Sequence, residues 1–240
     1  MTFGRLLLLF LLLMLPISLL ADLEWRQMRR DMMKEIAEDA RYSQSYTGRG
    51  VLKPEVMKAV EAVERHQFVP PALQSQAYRN HPLPIGYGQT ISQPFIVALM
   101  TDLLDVQAGD KVLEVGTGSG YQAAVLAELV AEVYTIEIVE SLARSADKRL
   151  SKLGYDNVTV RSGDGTLGWP IHAPFDGIMV TAAGLNIPQA LIDQLKPGGR
   201  LVMPVGGQFE TQQLLVLTRH PDGTTTTEQK LPVRFVPITH

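Results

Sequence analysis

The 240-residue chain has no cysteine, which excludes a disulfide framework, a thiolate nucleophile and a Cys-ligated metal. A basic stripe is also missing: 22 Lys and Arg against 25 Asp and Glu leave a formal charge of −3, which does not suit a protein that coats nucleic acid. Charged residues make up 20% and hydrophobic residues 45%, a balance foreign to disordered chains and sufficient for one domain with a sizeable core. Neither an internal repeat nor a second domain stands out.

Long hydrophobic runs are scarce too. The one present, Leu6 to Ala21, follows Arg5 and is shorter than the roughly 20 residues a bilayer span wants. Two readings stay open. It resembles the apolar part of a signal peptide, with cleavage after Ala21 and release into an outer, periplasmic compartment. Arg26, Arg29, Arg30, Lys34 and Arg41 follow the run, however, so the positive-inside rule favours a membrane anchor with Trp25 at the interface and the domain in the cytoplasm. On either reading the expected organisation is an anchor or signal segment over 1–21, a linker helix over 22–50 whose methionines pack rather than form a site, and one folded domain over 51–240.

What the chain does contain is organised around Lys111 to Ala127, KVLEVGTGSGYQAAVLA. A short apolar run with one Glu set into it reads as a buried strand; the alternating glycines read as a tight turn; the Ala- and Leu-rich stretch from Tyr121 reads as a helix. Strand, glycine turn and helix in that order form the first half of a doubly wound α/β unit, whose turn lets backbone N–H groups approach a ligand. The glycines fall at 116, 118 and 120, as G-x-G-x-G and not as the G-x-G-x-x-G of nicotinamide enzymes. With Glu114 two places ahead, this resembles the E-x-G-x-G-x-G loop of S-adenosylmethionine (AdoMet) dependent methyltransferases. Two carboxylates follow at strand ends. Glu137 closes Tyr134-Thr135-Ile136-Glu137, about 20 residues past the loop, where an acid accepts both ribose hydroxyls; an ordinary helix-start acid is the alternative. Asp164, in Ser162-Gly163-Asp164-Gly165, stands where an adenine amino group is read; a plain Asx turn is its alternative.

Upstream, His66 to Pro94 is rich in proline and reads as a long ordered loop, since Phe68, Leu73, Tyr78, Leu83 and Ile85 argue against disorder. Gln93 to Asp105 then reads as an amphipathic helix with Pro94 in its first turn and Ser92 as its N-cap. Downstream, a helix over 188–195 stopped by Lys196-Pro197-Gly198-Gly199, a strand over 200–205, and strands over 213–219 and 233–238 around a Thr-rich hairpin at Asp222-Gly223 complete a mostly parallel sheet with helices on both faces and an antiparallel edge hairpin.

PLPIGYGQTISQP, VLEVGTGSGYQAAVLA, GDG, FDGIMVTAA, LKPGGRLVMPVG and the terminal RFVP together resemble the protein-L-isoaspartate O-methyltransferase family over about 51–238. QTISQP is the specific part; the apolar N-terminal run departs from the family pattern. The resemblance implies a Rossmann-like AdoMet-dependent methyltransferase fold and methyl esterification of the free carboxylate of L-isoaspartyl residues. The ester then closes to a succinimide that reopens partly to normal Asp. It implies AdoMet as cofactor, damaged proteins and peptides as partners, and neither metal nor nucleic acid. It points to Ser92 as the active-site residue, Thr90 as a substrate contact, and Glu114, Gly116, Thr117, Gly118, Gly120, Glu137, Asp164 and Gly165 as cofactor-binding residues. Val236, in the terminal strand, would meet the substrate peptide through its backbone.

The chemistry agrees with the residue types. A carboxylate acceptor, with a pKa of about 4, is already ionised at neutral pH, so neither a general base nor a nucleophilic side chain is required. The task is proximity: hydroxyls at a helix start orient an anionic oxygen toward the methyl donor. A base-modifying amino-methyltransferase fits less well, because Val180-Thr181-Ala182-Ala183 stands where that class has an Asn/Asp-Pro-Pro-aromatic motif. Another AdoMet-dependent methyltransferase and a membrane-tethered, non-catalytic binding module remain as alternatives.

Overall fold

The structure, a computed structural model, describes residues 17–239. Most of the apolar run therefore lies outside the described residues, and of Ile17 to Ala21 the backbone alone is described, as helix. Among the described residues no helix is long and apolar enough to cross a membrane.

Seven strands form the central sheet in the order β5-β4-β3-β6-β7-β8-β9: β3 Lys111–Val115, β4 Glu132–Glu137, β5 Val158–Ser162, β6 Phe175–Val180, β7 Leu195–Val205, β8 Gln212–Arg219 and β9 Thr225–Val233. β3 through β7 pair in parallel, whereas β8 and β9 run antiparallel at one edge. The chain starts at the centre with β3, moves outward through β4 and β5, then returns to the other side of β3 for β6. That reversal opens a crevice at the carboxyl ends of the strands, where ligands of such sheets bind.

Alternation along the strands sorts apolar side chains between two cores, as the period of two requires. One core takes Val112, Met179 and Val202 together with α1 (Ile17–Tyr42), α2 (Pro54–Ala62), α3 (Pro94–Leu104) and α4 (Tyr121–Ala127). The other takes Leu113, Val115, Ile178, Val180, Leu201 and Met203, with Leu191 of a short helix over Gln189–Asp193. Between β4 and β5 the chain forms α5 (Glu140–Lys152), which buries Leu142, Ala143, Ala146 and Leu150 at helical spacing.

Four segments differ from the sequence-based expectation. The helix expected as a linker over 22–50 is docked on the domain: Met32, Ile36 and Ala40, four residues apart, form a buried stripe of α1 that packs against α2 and α3. Inside the long loop a small hairpin pairs β1 (Leu83–Gly86) with β2 (Gln89–Ile91). The turn residues Lys196-Pro197-Gly198-Gly199 do not end at a strand boundary; β7 begins at Leu195 and absorbs them in an irregularity of its pairing with β6. At the edge, the Thr-rich stretch is itself strand β9, because β-branched threonine suits an exposed edge without apolar alternation. Residues 233–238 consequently do not form the expected strand beyond Val233. Most of them run as an extended tail, held by a parallel bridge between Ala183 and Pro237.

The start of α3 is also capped differently. Its N-cap is Gln93 and not Ser92, and Gln93 makes no capping bond of its own. Asn80 supplies the cap from a distance: its Oδ1 accepts from Phe95 N at 3.0 Å, while its Nδ2 donates to Asp39 Oδ2 of α1 at 2.8 Å. Asn80→Ala is therefore expected to lower stability by about 1 kcal/mol, and Ser92→Ala by less than about 0.5 kcal/mol, in paired thermal melts. Equal losses in the two variants would return the cap to Ser92.

Candidate active site

The glycine loop between β3 and α4 is held from both sides. Gly116 N donates to Ile136 O at 2.8 Å, and Thr181 Oγ1, just past β6, donates to Gly116 O at 2.7 Å and to Val115 O at 3.1 Å. A Cβ at Gly116 would lie 2.4 Å from that hydroxyl oxygen, and its φ of +101° is one that side chains rarely adopt. Gly118, with φ of +53°, turns its N–H toward Glu137 and donates to Oε2 at 2.7 Å. The other oxygen, Oε1, accepts from Val139 N at 2.9 Å. Glu137 is thus a staple between the loop and the start of α5, and only 5% of its surface is exposed.

Two cavities meet above this loop. The first runs from Gly116, Thr117 and Gly118 past Glu137 and Gly165, and is closed by Thr90 and Ser92 of the β2–α3 segment and by Val236 of the tail. The second shares Thr90, Ser92, Thr181 and Val236 with it and continues toward Gln93, Ile96, Arg234 and Phe235. Ser92 therefore stands in the wall between two compartments. Its hydroxyl has no hydrogen-bond partner among the described residues, and its carbonyl accepts from Arg65 Nη2 at 2.7 Å.

The structure brings together eight of the residues singled out in the sequence: Thr90, Ser92, Gly116, Thr117, Gly118, Glu137, Gly165 and Val236 all line the first cavity. Three others take supporting places. Glu114 is fully buried beneath the loop, where Thr135 Oγ1 donates to its Oε2; Thr135 Oγ1 also lies 2.6 Å from Thr117 Oγ1. Gly120 faces α5, where a Cβ would come within 3.1 Å of Leu150. Asp164 accepts from Thr166 N at 2.9 Å and from Thr166 Oγ1 at 2.7 Å, the Asx-type arrangement that was its alternative reading. Sequence reasoning passed over Gln89, Ser119, Ile138, Thr181 and Ile238, which also line the first cavity. Thr181 directly follows β6, a strand in the sheet's centre, a position that could have marked it; Ile238 carried no local signal.

Comparison with known proteins decides the family. The model of the family described as Protein-L-isoaspartate(D-aspartate) O-methyltransferase (PCMT) matches residues 41–240. This chain belongs to the protein-L-isoaspartate O-methyltransferase family. It is 59% identical over 219 residues to "Protein-L-isoaspartate O-methyltransferase 2" of Syntrophobacter fumaroxidans, covering 91% of this chain and 89% of that one. It is 60% identical over 192 residues to "Protein-L-isoaspartate O-methyltransferase" of Gloeobacter violaceus, covering 80% and 93%. Among solved structures, one named protein-L-isoaspartate O-methyltransferase superposes with a TM-score of 0.76 at 26% identity, covering 88% of this chain and 66% of that one. A Plasmodium falciparum structure in complex with S-adenosyl-L-homocysteine has the same fold, with a TM-score of 0.73 at 22% identity and coverage of 88% and 98%.

Within this member of the protein-L-isoaspartate O-methyltransferase family, Glu114 carries an electrostatic load the sequence did not reveal. Burial pushes its carboxyl up from the ordinary 4.5 to about 8; the Thr135 hydroxyl opposes that rise, and the nearby Glu137 charge adds to it. A folded-state value above the unfolded one means that the native state holds the proton more tightly. The stabilising contribution is complete below about pH 4.5, falls as pH rises, and levels off above about pH 8. Wild type is therefore expected to lose stability relative to Glu114→Gln across that window, by up to several kcal/mol, in denaturant titrations at a series of pH values. A pH-independent difference between the two would show that the Glu114 carboxyl titrates normally.

Proposed function

We infer that this chain transfers the methyl group of AdoMet to the free carboxylate of L-isoaspartyl residues in damaged proteins and peptides, starting their repair through a succinimide. Family membership supports the reaction class. The observation that carries the reading is the Ser92 and Thr90 wall between two cavities, one floored by the glycine loop and the other bordered by the tail.

The residues lining the first cavity support AdoMet as its ligand. Gly116 and Gly118 leave the loop backbone open to close approach, and Glu137 keeps acceptor capacity: each carboxylate oxygen has about two lone-pair sites, and the two amide bonds occupy one on each. Ribose hydroxyls would complete the set. AdoMet supplies an electrophilic methyl group. The protein holds the acceptor oxygen in line at roughly 3 to 3.5 Å and keeps water out, and that positioning accounts for most of the rate. No proton has to be removed from an acceptor already ionised at neutral pH. The Ser92 hydroxyl, without a partner of its own, is available to donate to the substrate carboxylate, with Thr90 beside it. The tail brings Val236 to the same wall; its carbonyl accepts from Ala183 N at 2.8 Å, so the tail edge is fixed before a peptide arrives.

Methyl transfer to matched peptides bearing isoaspartate, aspartate or asparagine tests the reading directly: the isoaspartyl peptide alone is expected to be methylated. Ser92→Ala should lower kcat by about 10- to 1000-fold with melting unchanged, and Ser92→Asp should lower it further, because a like charge then faces the acceptor. Equal activity on all three peptides would leave a different methyltransferase specificity. Absence of AdoMet binding would leave a non-catalytic module.

For location and organisation, the basic residues that follow Leu6–Ala21 support a domain over 51–240 facing the cytoplasm, with α1 docked on it. Amino-terminal sequencing of the native protein is expected to find the chain uncleaved. A mature terminus near Asp22 would assign the run to export instead.

A further inference from the structure

Arg65 lies in a 3-10 turn over Arg65–Phe68, next to the long loop and far in sequence from the glycine motif. Among the described residues it is one of the largest fully buried side chains, with 0% exposure, and no carboxylate pairs with it. Its Nε donates to Ala77 O at 2.8 Å and its Nη2 to Ser92 O at 2.7 Å. The guanidinium lies over the Tyr121 ring, 4.7 Å from its centroid, and Tyr121 begins α4 and lines the first cavity. Nη1 has no hydrogen-bond partner among the described residues.

An unneutralised cation is a costly way to fill a core, and an apolar side chain of similar volume would pack there at less expense. The planar fork does what such a side chain cannot. It ties three segments that come together at the site: the long loop through Ala77, the β2–α3 connection through Ser92, and the start of α4 through Tyr121. Ser92 sits between β2 and the N-cap of α3, and its hydroxyl makes no bond that would fix its place. The carbonyl contact with Arg65 is the direct hold on that residue's backbone from beneath.

We propose that Arg65 is a positioning residue for methyl transfer, its buried guanidinium holding the Ser92 carbonyl so that the Ser92 hydroxyl faces the wall shared by the two cavities. This rests on the reading of Ser92 as the donor to the substrate carboxylate. Arg65 touches neither cavity and acts through Ser92.

Arg65→Met and Arg65→Lys test it in the full chain, with melting, AdoMet affinity by calorimetry, and kcat and KM on an isoaspartyl peptide measured for each. Arg65→Met should melt at or above wild type, because it removes the unpaired buried charge. Its AdoMet affinity should stay within about twofold while kcat falls about 100-fold, the scale of a 1 Å misplacement at a reacting centre. Arg65→Lys keeps the charge but can reach only one of the two carbonyls, and should fall between them, about tenfold down in kcat. A well-folded Arg65→Met enzyme with native kcat overturns the proposal, as does a kcat that declines only in step with melting and AdoMet affinity. If Arg65→Met does not fold, Arg65→Lys decides: reduced kcat with native AdoMet binding supports the assignment, and native kcat overturns it. Loss of folding in both variants also overturns it, leaving Arg65 as a part of the frame alone. Failure of the underlying reading looks different, since wild type itself would then not methylate the isoaspartyl peptide.

Discussion

The Glu137 carboxylate is the interaction on which the site depends. It accepts the Gly118 N–H on one oxygen and the Val139 N–H on the other, so a single buried side chain fixes the glycine loop against the end of β4 and the beginning of α5. A loop with successive glycines has more unfolded conformations to lose than any other, and without a staple it would sample many of them. Thr181 works from the opposite side, its hydroxyl bonded to the Gly116 and Val115 carbonyls. Between the two, the backbone that must approach a ligand is already in place before the ligand comes, and ordering it does not weaken binding.

The other half of the site is assembled by contacts of much greater sequence separation. Asp39 of α1 holds Asn80, Asn80 caps α3 at Phe95, and Arg65 holds the Ser92 carbonyl next to that cap. α1 is thus part of the frame that carries the wall between the two cavities. Its buried stripe of Met32, Ile36 and Ala40 docks it, and its polar face feeds the network that sets where the β2–α3 segment lies. The two halves face each other across the crevice created by the reversal of strand order at β3. The floor of the first cavity is locally encoded, whereas the wall exists only once distant segments have packed.

The glycine loop, its strand and helix, Glu137 and the Ser92 segment were legible in the sequence, because each is a local pattern: a period, a turn composition or a spacing along one continuous stretch. The misreadings share an opposite cause. Ser92 looked like a cap because a hydroxyl preceded a helix with Pro in its first turn, but the acceptor came from Asn80, 15 residues upstream of the Phe95 N–H it caps. Threonines over 225–227 looked like a hairpin loop because no apolar alternation marked them, yet an edge strand needs none. Glu114 looked like a ligand contact because it precedes the loop; the pleat of β3 turns it into the interior beneath Thr135.

By itself, then, the sequence determined that this chain is a doubly wound α/β protein with a glycine cradle, a carboxylate at the next strand end and a pair of hydroxyls just ahead of a helix. Those features follow from side-chain periodicity and backbone preference, which act over a few residues. Only the tertiary structure decided that the hydroxyls stand between two cavities, that a buried Arg lies beneath them, and that the C-terminal tail crosses the strand ends to close the site. Each of these is a hydrogen bond or contact between residues far apart in the chain. Which distant groups meet is set by how the whole apolar core closes and by the cost of leaving buried polar groups unpaired, and neither is a property of any local stretch.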